Sequence, residues 1–329
     1  MIEAIAPVRI CDIGGWTDTW FGGPGRIVHL AAAPGVTVVI RPLEREGGVV
    51  VHARDFTDRY AIVPGTPRVP RHPLLEAAID AFPPPPDGGV EITVESGVPA
   101  GCGTGTSAAV AVALIGALVA LRSEVLSSRQ VAAAAHRLEV QTLGEESGVQ
   151  DQLCAACGGL NFIAIDHYPE ATVEPLPAWD ELGPRLSLIF LGRGHHSSEV
   201  HRQVIEDVGQ RGTDALARLR EAAVAARAAV LAQDLHAFGT TMTANTDAQA
   251  ALHPALVGAD ARRVIDVAAR ERAVGWKVNG AGGDGGSVTL LSATPKAARE
   301  LEQHVSGLDA RYRVLPITAS AAGLVVRQL

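Results

Sequence analysis

Aromatic side chains make up only 4% of the 329 residues and methionine occurs twice. Packing therefore has to come from alanine and branched aliphatics, not from large rings or pliable thioethers. Basic charge is also in short supply, with 28 Lys and Arg against 36 Asp and Glu and a formal net charge of -8. That balance argues against a nucleic-acid partner, which needs a basic face, but leaves room for an anionic ligand at a locally positive site. The four cysteines, Cys11, Cys102, Cys154 and Cys157, lack the spacing of a disulfide framework, so the expected compartment is a reducing cytoplasm. Cys154 and Cys157 form a lone Cys-x-x-Cys inside the apolar run LCAACGGL. Without a second pair they read as helical thiols rather than zinc ligands. No apolar stretch reaches the ~18 residues of a membrane span. The longest, 108–121, reads as a buried helix, and the first residues lack the basic flank and apolar core of a signal peptide.

What the chain does have is 47% hydrophobic residues, enough for a large core or two packed domains. Short β-branched runs at 2–11, 36–40, 49–53, 60–63, 90–95 and 160–165 predict strands. Helical periodicity appears at 73–82, 107–122 and 128–143. The tetraproline run 83–86, followed by Asp87-Gly88-Gly89, reads as a surface turn. Proline and acidic residues cluster over 169–184 and mark the expected crossover between an N-terminal domain, 1–180, and a C-terminal domain, 181–329. Beyond it come a strand at 186–191, a mostly helical stretch at 197–273, and then strand, helix, strand and strand at 287–291, 295–305, 312–317 and 324–327. Grouped rather than alternating elements predict an α+β fold.

The segment Pro99-Ala-Gly-Cys-Gly-Thr-Gly-Thr-Ser-Ala-Ala109 carries the most chemistry. Glycines 101, 103 and 105 alternate, and Thr106 and Ser107 then open the apolar helix. Alternating glycines permit left-handed backbone and close approach to a ligand, and the helix start behind them offers free N–H groups and a positive dipole end. Together these suit phosphate, and the bland alternative is a capped glycine turn. Neither GxxxxGK[ST] nor GxGxxG is present, because Thr106 stands where the third Rossmann glycine would fall.

Glu139, in the helix 128–143, and Asp151, in Gly148-Val-Gln-Asp-Gln152, are twelve residues apart across a glycine-bounded turn. Phosphoryl transfer needs a carboxylate on magnesium and often a second at the acceptor hydroxyl. The competing reading is a solvated helix glutamate and a capping aspartate. Near the start, Arg9 lies mid-strand in APVRICDIGGWTD, where an unpaired buried charge would be costly, and Asp18 follows the glycine turn. Near the end, NGAGGDGGS places five glycines between 280 and 286. His195, His196 and His201 lack metal-ligand spacing and read as part of a loop near the crossover.

These motifs, in this order, resemble the GHMP small-molecule kinases, the family of galactokinase, homoserine kinase, mevalonate kinase and phosphomevalonate kinase. PAGCGTGTSAA matches the family's Pro-x-GxGxGSSAA-like signature, with Thr106 in place of the first serine, and NGAGGDGGS matches its C-terminal glycine signature. APVRICDIGGWTD and GVQDQ are similar to segments of the sugar 1-kinase branch, including D-glycero-D-manno-heptose 7-phosphate kinases and the kinase domain of L-fucokinase. The arginine of the segment 192–198 is placed differently from that of the heptose kinases. The resemblance implies a two-domain fold with a ferredoxin-like C-terminal half, and a cytoplasmic, monomeric or homodimeric kinase using ATP and Mg2+ on a small-molecule sugar. Pro99, Gly101, Gly103, Thr104, Gly105, Thr106 and Ser107 would hold the nucleotide phosphates, and Ser107 and Glu139 the magnesium. Asp151 would be the base, with Arg9 balancing charge, while Trp16, Thr17, Asp18, Gly282, Gly283 and Asp284 would meet the sugar. The same fold also hosts an ATP-dependent decarboxylase of the diphosphomevalonate type and would suit a non-catalytic nucleotide- or sugar-binding regulator. Retention of Ser107, Glu139 and Asp151 favours the kinase.

Overall fold

The computed structural model describes residues 1–44, 47–86, 88–194 and 197–329, so Asp87, His195 and His196 of the sequence reading lie outside the described residues. Among the described residues no helix is long and apolar enough to cross a membrane.

The N-terminal part is built on β1 (Ile2–Ile13), β2 (Gly25–Leu43), β3 (Val49–Ala53), β4 (Asp58–Ile62), α1 (Pro73–Ala81) and β5 (Gly89–Ser96). It continues through α2 (Thr106–Leu121), α3 (Ser128–Arg137), α4 (Gln150–Cys157), β6 (Leu160–His167) and β7 (Glu170–Pro175). β2 is the hub of this sheet. It runs antiparallel to β1, and residues 25–30 pair with β6 while residues 36–43 pair with β5. The sequence pattern predicts only 36–40, because Pro34 and Gly35 interrupt the β-branched run; pairing with β1 on both sides of the interruption carries the strand through. The segment expected as a crossover holds β7, which pairs with β6.

α2 is apolar on nearly every face, and residues such as Val112, Leu114, Ile115 and Leu118 are fully buried. A helix with no polar stripe must be covered all round. It packs on β1 and β2, with α1, α3 and α4 around its other sides. Among the described residues this helix and its sheet contribute most of the largest of the buried apolar clusters.

The second sheet contains β8 (Leu186–Phe190), β9 (Gly275–Val278), β10 (Ser287–Leu291) and β11 (Arg313–Leu315). Its order, β11-β8-β10-β9, is antiparallel throughout. Numbered along the chain this is 4-1-3-2, with helices after the first and third strands, the ferredoxin-like arrangement. The helices are α5 (Ser197–Ala232), α6 (Leu235–Leu252), α7 (Ala259–Arg270) and α8 (Pro295–Ser306). α5 lies against α6 and β2, and α6 against β9, so this pair of helices bridges the two sheets. The last strands, β12 (Thr318–Ala319) and β13 (Val325–Gln328), return to β2 and β1 of the first sheet. The chain end expected in the C-terminal unit thus completes the N-terminal sheet, giving the outer edge of β1 a hydrogen-bonding partner.

Candidate active site

A cavity of about 510 Å³ opens between the glycine loop before α2, the end of β1 and the turn before α4. Arg9, Trp16, Asp18, Gly101, Gly103, Gly105, Thr106, Ser107, Glu139 and Asp151 all line it. Glycines 101, 103 and 105 have φ of +68°, +77° and +68°, the left-handed backbone expected from their alternation. Gly105 is the N-cap of α2 and makes no side-chain capping bond, so the helix start presents free amides. Thr104 is buried; its carbonyl accepts the Arg9 backbone N–H at 2.9 Å, which ties the loop to β1.

Arg9 is 4% exposed and organises the centre. Its Nε donates to Asp151 Oδ1 at 2.7 Å, its Nη2 to Asp151 Oδ2 at 3.2 Å, and its Nη1 to the Gly103 carbonyl. One guanidinium therefore grips both the aspartate and the glycine loop, with the two-pronged geometry only arginine supplies. Asp151 sits in the first turn of α4. A Cβ on Gly105 would lie 3.0 Å from its carboxyl carbon, which puts the carboxylate directly beside the start of α2.

Glu139 enters from a π-helical turn, Leu138–Thr142, that continues α3. Such wide turns re-aim a side chain relative to the regular helix. Its Oε2 accepts from Ser147 Oγ at 2.8 Å and Gln152 Nε2 at 2.6 Å, while Oε1 is buried with no hydrogen-bond partner. Burial, with Asp151 adding to it, pushes the Glu139 carboxyl up to about 7. A buried, unpartnered carboxylate oxygen beside an open cleft fits a cation, and Ser107 is exposed on the same cleft. Magnesium characteristically takes one or two protein oxygens and completes its shell with phosphate and water, so the residues present suit it.

On the far wall, Asp18 is 3% exposed and accepts from the Gln150 backbone N–H at 3.1 Å. Burial and the nearby Asp151 push its carboxyl up to about 6. A Cβ at Gly148 would come within 2.0 Å of Asp18 Oδ2, so glycine there is what lets the turn close on the aspartate. Trp16, held at φ +78°, packs 6.4 Å from the Phe21 ring.

Several expected contacts are not made. Pro99 is half-buried outside the cavity lining. Thr17 is fully buried, its hydroxyl donating to the Gly14 carbonyl at 2.7 Å, so it shapes the turn instead of meeting a ligand. Only Gly280 and Ala281 of the second glycine loop reach the cavity. Gly282 is pressed against the Leu256 carbonyl, Gly283 donates to that same carbonyl at 3.2 Å, and Asp284 pairs with Arg193 at 2.8 Å. The sequence reading also missed Asp12, Ser147, Gln150 and Gln152. Asp12 carried a signal, a charge inside an apolar strand where an unpaired group would be costly; Ser147, Gln150 and Gln152 lie in a polar turn and helix start, where polar residues are ordinary and give none.

With this geometry in view, residues 73–159 match the family described as GHMP kinases N terminal domain. That match covers the glycine loop, α2, α3 and α4, and the chain's whole length adopts a two-domain α+β fold seen in solved structures. A D-glycero-D-manno-heptose 1-phosphate kinase structure from Bacteroides thetaiotaomicron aligns with a TM-score of 0.79, covering 100% of this chain and 99% of that one at 21% identity. The mevalonate kinase of Thermococcus gammatolerans is 40% identical over 89 residues, 27% of this chain and 25% of that protein. The bifunctional fucokinase/GDP-fucose pyrophosphorylase of Arabidopsis thaliana is 26% identical over 326 residues, 91% of this chain and 30% of that protein. The match to the mevalonate kinase thus spans a quarter of that curated relative's length.

Proposed function

We propose that this chain is an ATP-dependent phosphotransferase that moves the γ-phosphate to a sugar hydroxyl, the anomeric C1 hydroxyl of L-fucose, a heptose 7-phosphate or a related sugar. The observation that carries the reading is the Arg9–Asp151 pair set against the left-handed glycine loop at the α2 N-terminus. In it the phosphate-binding amides and a carboxylate base share one cleft. Phosphoryl transfer asks a protein mainly for positioning and charge stabilisation. The loop amides and α2 dipole hold the donor phosphates. Ser107 and Glu139 hold Mg2+, which supplies neutralisation of phosphate charge when bound. Asp151 accepts the proton of the acceptor hydroxyl, and Arg9 fixes that carboxylate in place while balancing its charge.

The acceptor side favours a sugar over mevalonate, the substrate named by several relatives. Asp18 offers a buried carboxylate to paired hydroxyls, and Trp16 an indole to the cavity wall. Among the described lining residues the one lysine or arginine is Arg9, and it is already committed to Asp151 at 2.7 Å, with the buried Asp18 on the facing wall. A phosphate or carboxylate on the acceptor would meet repulsion there. Within the sugar class this supports L-fucose or another uncharged sugar ahead of a heptose 7-phosphate. The test is ADP release over a panel of L-fucose, galactose, arabinose, glucuronate, heptose 7-phosphate and mevalonate, with NMR of the product to fix the phosphorylated carbon. Turnover of mevalonate alone would overturn the sugar assignment.

A further inference from the structure

Behind Arg9 lies a second buried ion pair, of which Asp12 edges the cavity and Lys277 does not. Lys277, on β9 of the second sheet, is 1% exposed. Its ammonium is 3.3 Å from Asp12 Oδ1 and donates to Gln249 Oε1 at 3.2 Å and to the Val278 carbonyl. Asp12, also 1% exposed, sits 3.6 Å from Arg9 Nη1 through the same Oδ1, and its Oδ2 accepts the Gly280 N–H at 3.1 Å. Charges therefore alternate from one sheet to the other: Lys277, Asp12, Arg9, Asp151.

Burying this many charges costs several kcal/mol per ion before their mutual attraction is counted, and an apolar filling would give a cheaper core. The arrangement is placed where the second sheet meets the phosphate loop. A Cβ on Gly280 would lie 2.8 Å from the Gly103 carbonyl oxygen, and Ser287 Oγ donates to the Cys102 carbonyl at 2.7 Å. Asp12 thus touches both parts that the reaction must hold in register: the guanidinium that grips Asp151, and the amide that seats the second glycine loop on the first.

We infer that Asp12 and Lys277 are positioning residues for phosphoryl transfer, fixing Arg9 and the Gly280 amide from the second sheet. This rests on the kinase reading above. Lys277 does not line the cavity and takes no part in the chemistry itself. Its role is to hold Asp12, and Asp12 transmits the placement to Arg9.

The test separates placement from folding. Lys277→Met and Asp12→Leu each strand a buried charge and should unfold at lower temperature, whereas the double variant removes both charges and should regain most of the lost Tm. With the sugar that the wild type phosphorylates, the double variant should still show kcat reduced at least about tenfold with the acceptor KM within about twofold, the mark of misplaced reacting groups. Asp12→Asn, which keeps the shape and an acceptor for Gly280, should show the same split and serves if the double variant fails to fold. A folded double variant or Asp12→Asn within twofold of wild-type kcat overturns the inference and leaves the kinase assignment standing. Wild-type protein that binds ATP but phosphorylates no acceptor overturns the kinase assignment, and this inference with it.

Discussion

The two glycine-rich loops, 99–106 and 279–286, touch at Gly103 and Gly280 and are both rich in left-handed glycine, but they spend that freedom differently. In the first, glycines 101, 103 and 105 all face the cavity, ahead of a helix whose start makes no side-chain cap. In the second, only the residues nearest Gly103 reach the cavity; the remainder press on backbone of neighbouring turns, with Gly282 against Leu256 and Gly285 against Arg193. Glycine content alone therefore says that the backbone must come close to something. Whether that something is a ligand or another stretch of protein depends on the neighbouring element, a helix start in one case and a packed loop in the other.

The strongest way to break this contrast is at the first loop's partner. Asp151→Asn should leave the far-UV circular dichroism unchanged while turnover drops at least ~10²-fold, the lower range for loss of a general base. Near-normal ADP release would remove Asp151 from the chemistry and the first loop from its catalytic role. Alanine at matched glycines sharpens the comparison. Gly282→Ala would put a Cβ 1.9 Å from the Leu256 carbonyl oxygen, and it should cost more than ~2 kcal/mol of stability with little change in kcat per folded molecule. Gly105→Ala meets a side chain instead, at 3.0 Å. It should cost only the ~1–2 kcal/mol of a left-handed residue while lowering turnover by disturbing Asp151. Equal kcat losses at both sites would erase the distinction.

The acceptor wall offers a pH test. Asp18 is raised to about 6 by burial and by Asp151, so the native state holds its proton more tightly than the unfolded chain, whose carboxyl titrates near ~3.9. Stability from this group is present below about 4 and is lost as pH rises toward about 6. Asp18→Asn should therefore raise Tm at pH 8, by an amount corresponding to as much as ~3 kcal/mol, and match the wild type near pH 4. A gain that is independent of pH would place the cause elsewhere. The smallest effect is expected where the loops meet through Ser287. Its hydroxyl bond to Cys102 is buried, and Ser287→Ala should cost ~1 kcal/mol in chemical denaturation. An unchanged midpoint would show that the two loops are held together by other contacts.

Local patterns decided a good part of the molecule. The all-apolar run of α2 required burial on every side, the alternating glycines required left-handed turns, and the spacing of Glu139 and Asp151 across Gly144 and Gly148 brought both to one cleft. These features are legible because they depend on residues close in sequence, where period and backbone preference act directly. Tertiary structure alone decided the rest: the bridging of Pro34 and Gly35 within β2, the return of β13 to β1, the turning of Gly282 and Asp284 away from the cavity, and the meeting of Asp12 with Lys277 from near opposite ends of the chain. Strand pairing and charge burial join residues distant in the chain, and their energies exist only once both partners have been brought together and desolvated.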